Sequence, residues 1–239
     1  YQNLMYMTAG ILTERLSDQS WEAYITENIF QPLGMTSANF SVTEMEKTDD
    51  FAYGYGEKDD EITRLPYHSL DAIGPAGSIN ASVTDMLKWV ELHLGDGQFR
   101  GQHFVNSSTL QRMHQPQMLM DNPLFPFPAL SHPSYGLGWF IYDYGDLAVV
   151  EHGGNIDGFS ALVFLLPKEG LGLVALTNKN GTPLGYVLAY TIADILLDRE
   201  AEDWYGLVFD QDDDEEEEEV EFTLETQVDA VIAVTVLKI

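Results

Sequence analysis

The residues best suited to chemistry lie in VEHGGNIDGFSALVFLLP, residues 150–167. An apolar run ends in Glu151 and His152, two glycines follow at once, and a short turn leads into a second apolar run. A polar side chain that closes a strand beside Gly-Gly sits where a backbone can come very close to a ligand. The pattern therefore predicts that His152 and the N–H groups of Gly153, Gly154 and Asn155 form one wall of a cleft. A second polar pair, Tyr1 and Asn3, stands at the other end of the sequence. A tyrosine, with an ordinary pKa of about 10, is a poor base unless a cation makes its phenolate accessible. Asparagine offers both an amide donor and an acceptor. On chemistry alone, Tyr1 and Asn3 read first as residues ordering a helix start, and His152 has the alternative of a strand-end histidine bonded to a backbone carbonyl.

Composition narrows the classes. A chain of 239 residues with 45% hydrophobic and 12% aromatic content is globular and can bury a sizeable core. Of the net charge of −28, half lies in residues 198–239, which hold 16 acidic and 2 basic residues. Such a surface repels nucleic acid and anionic membranes. The sequence has no cysteine, so disulfides, thiol nucleophiles and thiolate metal sites are excluded. His93, His103 and His114 are widely spaced and lie beside no carboxylates at ligand spacing, so no metal is expected. No cofactor is implied, and no apolar run reaches the length of a membrane span. Residue 1 is tyrosine and runs straight into a helical pattern, which suggests a processed or truncated chain whose upstream part is missing.

The elements that must position these groups follow from periodicity. Leu4, Met7, Ile11, Leu12 and Leu16 have helical spacing. Ser20 can cap a second helix that buries Trp21, Tyr24, Ile25 and Ile29 and ends at the Pro32–Gly34 breakers. Residues 41–72 read as irregular surface, and Gly74–Gly77 as a tight turn. Ser82 to Asp85 resembles a capping box opening a helix to about Leu94, and Ser108 can cap a short one to about His114. Five prolines in residues 116–134 exclude a helix or central strand there. Four β-rich runs follow, at 135–142, 147–152, 160–166 and 171–178, joined by links short enough only for antiparallel hairpins. Thr182-Pro183 starts a helix to about Leu197 that presents Leu184, Val187, Leu188, Ile192 and Ile195 to the sheet. Residues 210–219 are nine acidic residues and one glutamine, expected to be a solvated linker. Val220, Phe222, Leu224 and the run 228–239 read as the start of a truncated β-rich module.

Taken in order, Tyr1-Gln-Asn3, Phe30-Gln-Pro-Leu-Gly-Met35, Pro75-Ala-Gly77, Tyr135-Gly-Leu-Gly-Trp139, His152-Gly-Gly154, Gly158-Phe-Ser160 and Leu176-Thr-Asn178 make the chain resemble the serine β-lactamase and penicillin-binding-protein superfamily. The nearest branch looks like the class C-type β-lactamase-related serine hydrolases, which include esterases and D-amino-acid peptidases. The resemblance implies an α+β fold: an antiparallel β-sheet flanked by helices, with a mostly helical region in residues 1–115, in a domain of residues 1–205; the charge run and alternation read above make 206–219 an acidic linker and 220–239 the module start. It also implies three converging elements. The first, Ser-x-x-Lys, is absent, since no serine here has lysine three residues on. The second maps onto Tyr1 as base and Asn3 as its partner. The third, usually Lys-Thr-Gly, maps onto His152, Gly153 and Gly154, with the N–H of Asn155 as oxyanion donor. Histidine in place of lysine removes the fixed cation that would grip a β-lactam carboxylate and points towards peptidase or esterase work. The implied activity is acyl transfer on a peptide, a D-amino-acid amide or an ester, with this chain lacking the nucleophile. The alternative is a non-catalytic binding or scaffold protein that keeps the cleft. A small-molecule or peptide substrate is the expected partner, and a periplasmic, membrane-attached or secreted location is suggested by the resemblance alone.

Overall fold

The computed structural model describes residues 1–58, 61–121, 127, 129–209 and 232–239. Helix α1 (Asn3–Ser17) starts where the Gln2 side chain accepts a hydrogen bond from the Met5 N–H, and ends at Asp18 in the left-handed region. Its apolar period does not mark a buried face: Leu4, Met5, Ile11, Leu12 and Leu16 are all exposed. Gly10 is its buried residue, and Pro75 lies 2.2 Å from where a Cβ would stand. That contact fixes α1 against the 3-10 segment Asp71–Ala76, which ends in the expected tight turn, the Gly77 N–H donating to the Gly74 carbonyl.

Ser20 caps α2 (Trp21–Ile25) by accepting from the Ala23 N–H. The helix is not broken at proline: it runs on through a π-helical turn, Thr26–Phe30, into α3 (Gln31–Leu33), which contains Pro32. Gly34, at φ 68°, ends it. The stretch 41–72 is more ordered than expected, with α4 (Val42–Met45) and a hairpin of β1 (Tyr55–Lys58) and β2 (Glu61–Arg64). Its strands lack an apolar alternation, so no period announced them. In α5 (Val83–Leu94) the Ser82 hydroxyl accepts from the Asp85 N–H. The reciprocal half of the capping box is missing, because the Asp85 carboxylate instead accepts from the Ser37 N–H and hydroxyl and from Lys88. The small pair β3 (Gln98–Phe99) and β4 (Gln102–His103) precedes α6 (Ser107–Met113), whose N-cap is Asn106 rather than Ser108.

Seven strands among the described residues form one antiparallel sheet. They are β5 (Met118–Leu119), β6 (Leu130–Tyr135), β7 (Phe140–Tyr144), β8 (Leu147–Ile156), β9 (Phe159–Leu166), β10 (Leu171–Thr177) and β11 (Ile232–Lys238), in the order β11-β10-β9-β8-β7-β6-β5. Two expectations fail here. Residues 130–134 are strand rather than loop: the register slips between Ser131 and Ser134, with His132 at φ 53°, and this bulge accommodates Pro133. The run 135–142 is two strands, since Gly136–Trp139 form the turn between β6 and β7. Ile232–Lys238 pair with β10 along its whole length and form an edge strand of this sheet. The acidic run 210–219 and residues 220–224 lie outside the described residues.

Both faces of the sheet are covered, as near-continuous apolar strands require. On one face α7 (Leu184–Leu196) and α8 (Trp204–Phe209) pack on Val149, Leu162, Phe164 and Leu173. On the other α5 packs on Val150, Leu165 and Val174. Of the expected stripe of α7, Val187 is buried and Leu184 and Ile192 pack on the same core, whereas Ile195 is exposed; Ala189, Tyr190, Ala193 and Asp194 are buried as well. Asp194, fully buried, accepts from Tyr144 and from the Trp204 indole, which ties α8 down.

Candidate active site

Strand β8 is longer than its sequence suggests. Gly153 to Ile156 continue the ladder with β9, and only Asp157 and Gly158, both at positive φ, form the turn. A two-residue turn makes its flanking residues, Ile156 and Phe159, a hydrogen-bonded pair. Strict alternation then has Gly154 and His152 bonding to β9 through their backbones, while Gly153 and Asn155 point theirs the other way. The turn at Gly145 and Asp146, between Tyr144 and Leu147, gives the same alternation from the opposite end. On that other side β7 begins only at Phe140, opposite Glu151. The N–H of Asn155 therefore faces an edge that β7 leaves uncovered.

The two glycines differ in purpose. A Cβ on Gly153 would lie 2.6 Å from the Tyr186 hydroxyl, so this position is glycine for packing against α7. At Gly154 the nearest atom to such a Cβ is the Ala161 Cβ at 4.0 Å, so the chain leaves open, exposed space there. The Asn155 side chain is held by the Ser160 hydroxyl at 2.9 Å and the Gly181 N–H at 2.6 Å, both donating to its Oδ1.

His152 lies on the face of β8 opposite Gly153, and the N-terminus of α1 comes to meet it. The rings of Tyr1 and His152 are 5.3 Å apart between centroids. The Tyr1 hydroxyl donates to Asn3 Oδ1 at 2.5 Å. The structure thus brings Tyr1, Asn3, His152, Gly153, Gly154 and Asn155 together on one edge of the sheet. Two tyrosines complete the cluster. Tyr135 Oη lies 3.1 Å from His152 Nε2 and 2.5 Å from Tyr6 Oη, and His152 Nδ1 lies 2.7 Å from the Gly153 carbonyl. A carbonyl can only accept, so Nδ1 carries the proton. The Nε2 of the neutral ring must then accept from Tyr135, and Tyr135 in turn accepts from Tyr6. Burial holds the imidazole below its ordinary pKa, opposed by the bond to Gly153, which keeps the ring neutral. Burial likewise raises Tyr135, with the bond to Tyr6 next in size, so its phenol stays protonated.

The carbonyl-bonded histidine and the cleft histidine, alternatives in the sequence, are thus the same residue. Tyr6 and Tyr135 escaped sequence reading for different reasons. Tyr135 sat inside an apparent strand, and Tyr6 lies in the first helix but outside its apolar period of Leu4, Met7, Ile11, Leu12 and Leu16. Only the spacing of Asn3 and Tyr6, three residues apart on one helix face, hinted at a shared role. Tyr1 itself is raised by burial and by Tyr6, the opposite of what a base needs. No group of three or more metal-ligating side chains occurs among the described residues. His93 and His114 contact each other at 2.9 Å, between Trp89 and Trp139. No helix among the described residues is long and apolar enough to cross a membrane.

A capped helix bearing Tyr-x-Asn, set against the His-Gly-Gly edge of an antiparallel sheet with helices on both faces, defines the β-lactamase/transpeptidase-like fold. The chain belongs to the beta-lactamase family, whose model matches residues 1–197. It is similar to the unguisins hydrolase ungD of Aspergillus violaceofuscus, at 27% identity over 86% of this chain and 39% of that protein. It is also similar to protein flp of Staphylococcus aureus, at 26% identity over 75% of this chain and 33% of that protein. The chain thus spans well under half the length of these relatives. Among solved structures, the octameric penicillin-binding protein homologue of Pyrococcus abyssi superposes with a TM-score of 0.72 at 25% identity, covering 84% of this chain and 43% of that one. A D-amino acid amidase from Ochrobactrum anthropi SV3 shares the fold with a TM-score of 0.56 at 23% identity, covering 74% of this chain and 48% of that one.

Proposed function

We propose that the full-length protein is a serine hydrolase working by acyl transfer, and that this chain supplies the general base, its partner and the oxyanion strand. The observation carrying this is the 5.3 Å approach of Tyr1 to His152 beside the uncovered Asn155 N–H. A seryl oxygen would attack an amide or ester carbonyl, giving an acyl-enzyme that water then hydrolyses. The nucleophile is proposed to come from a Ser-x-x-Lys outside these 239 residues, since no serine among them has that context. Its lysine has a second task. Tyr1 is raised by its present surroundings, and a neighbouring ammonium would lower it towards the range in which a phenol can take the serine proton. Asn3, already accepting from Tyr1, would orient the phenol, and its amide N–H₂ would contact substrate.

With both nitrogens engaged, His152 is a neutral wall of the site rather than a cation for a substrate carboxylate. That favours peptides, D-amino-acid amides or esters over β-lactams, and the relative named as a hydrolase of unguisins is compatible with it. The test is labelling of the full-length protein with a fluorophosphonate, followed by peptide mapping. The proposal expects modification of one serine in a Ser-x-x-Lys outside this chain, slowed roughly 100- to 10,000-fold in Y1F. Absence of labelling, with the protein folded, would favour the non-catalytic binding role instead.

A further inference from the structure

Glu151 immediately precedes the site histidine, yet the mechanism above leaves it unused. Its side chain is fully buried on the α7 face of β8. Oε1 has no hydrogen-bond partner among the described residues, and Oε2 accepts a long bond, 3.3 Å, from the Tyr186 hydroxyl. No lysine, arginine or histidine forms an ion pair with it among the described residues. A buried carboxylate with one weak donor and an orphan oxygen is costly; a neutral carboxylic acid in the same place is far less so. The same Tyr186 hydroxyl occupies the space that a side chain on Gly153 would fill.

We propose that Glu151 is a positioning residue for the Gly153–Asn155 segment, acting through the Tyr186 hydroxyl wedged between its carboxyl group and the Gly153 backbone. The inference rests on the acyl-transfer reading for its kinetic consequence, but not for its structural one. Burial pushes the Glu151 carboxyl up to about 8, with the Tyr186 bond opposing. The other titratable groups facing this pocket are Tyr135 on β6, Tyr142 on β7, and Tyr186 and Tyr190 on α7, each raised first by burial. The facing residue on β9 is Phe164, which does not titrate. All four phenols therefore stay neutral while Glu151 ionises. An anion formed there would draw the Tyr186 hydroxyl towards itself and away from Gly153, letting the oxyanion strand relax.

The test has two readouts. In the full chain, the amide resonances of Gly153, Gly154 and Asn155 are followed by NMR from pH 6 to 10. They should move with one midpoint near 8 in the wild type and show no such transition in E151Q, which keeps the shape and the acceptor but cannot ionise. In Y186F the carboxyl still titrates while the amide response is at least halved. Separately, the full-length protein is assayed against a p-nitrophenyl ester. Its kcat should fall about tenfold per pH unit above the midpoint, with KM little changed, and the fall should vanish in E151Q. Amides that do not titrate, or a transition that survives in E151Q, overturns the proposal. A folded full-length protein with no esterase or amidase activity sinks the acyl-transfer reading instead, while the amide titration still decides the role of Glu151.

Discussion

Replacing Tyr135 by phenylalanine removes a single hydroxyl that serves two partners. It donates to His152 Nε2 at 3.1 Å and accepts from Tyr6 at 2.5 Å. Each such bond contributes about 0.5–1.5 kcal/mol, so Y135F should lose about 1–3 kcal/mol of stability. At about 2–4 °C per kcal/mol for a chain of this size, calorimetry should register a drop of several degrees. The ring effect is more specific. The bond from Tyr135 favours neutral imidazole, so without it the His152 midpoint should rise, while the Gly153 carbonyl still keeps the proton on Nδ1. Imidazole ¹⁵N NMR reads both properties directly. Y6F is the control: it removes the bond between the two tyrosines but leaves Tyr135 free to donate to His152, so the His152 titration should stay put. Identical titration of His152 in Y135F and wild type, or a wild-type His152 with its proton on Nε2, would refute this role for Tyr135.

Two further outcomes follow from the geometry. In G10A the new methyl would meet Pro75 Cγ at 2.2 Å and Cβ at 2.6 Å, so α1 must move; overpacking of this kind costs about 1–3 kcal/mol, and thermal unfolding should show it together with slower Tyr1-dependent labelling in the full-length protein. His93 and His114 are pushed down to about 3 and about 4, each chiefly by burial, so between pH 6.5 and those values the unfolded chain binds more protons than the folded one. Their contribution to stability is present above 6.5 and is lost as pH falls through that window. Urea midpoints measured from pH 7 to 4 should therefore fall less steeply in H114F than in wild type.

Much of this arrangement was legible in the sequence because it rests on local chemistry. Ser20 and Ser82 announce their helices through the hydroxyl each offers to a backbone N–H, and the short links after Tyr144, Ile156 and Leu166 permit only antiparallel neighbours. Tyr1 and His152 could be paired because a family order places them in one site. What could not be read depends on contacts remote in sequence. Gly153 looked like a ligand-facing glycine until Tyr186, 33 residues on, was seen to fill its side-chain space. Leu12 and Leu16 look like core by period but are exposed. Nothing local in Ile232–Lys238 says which open edge it will join, and its pairing with β10 is such a remote contact.

The central claim is that the α1 N-terminus and the His152–Asn155 edge serve one acyl group. The most direct measurement is a crystal structure of the full-length protein after fluorophosphonate labelling. A phosphonyl oxygen should lie roughly 2.7–3.1 Å from the Asn155 nitrogen, as an oxyanion hole requires, with the Tyr1 hydroxyl in hydrogen-bond reach of the modified seryl oxygen. A phosphonylated serine beyond reach of both groups would contradict it.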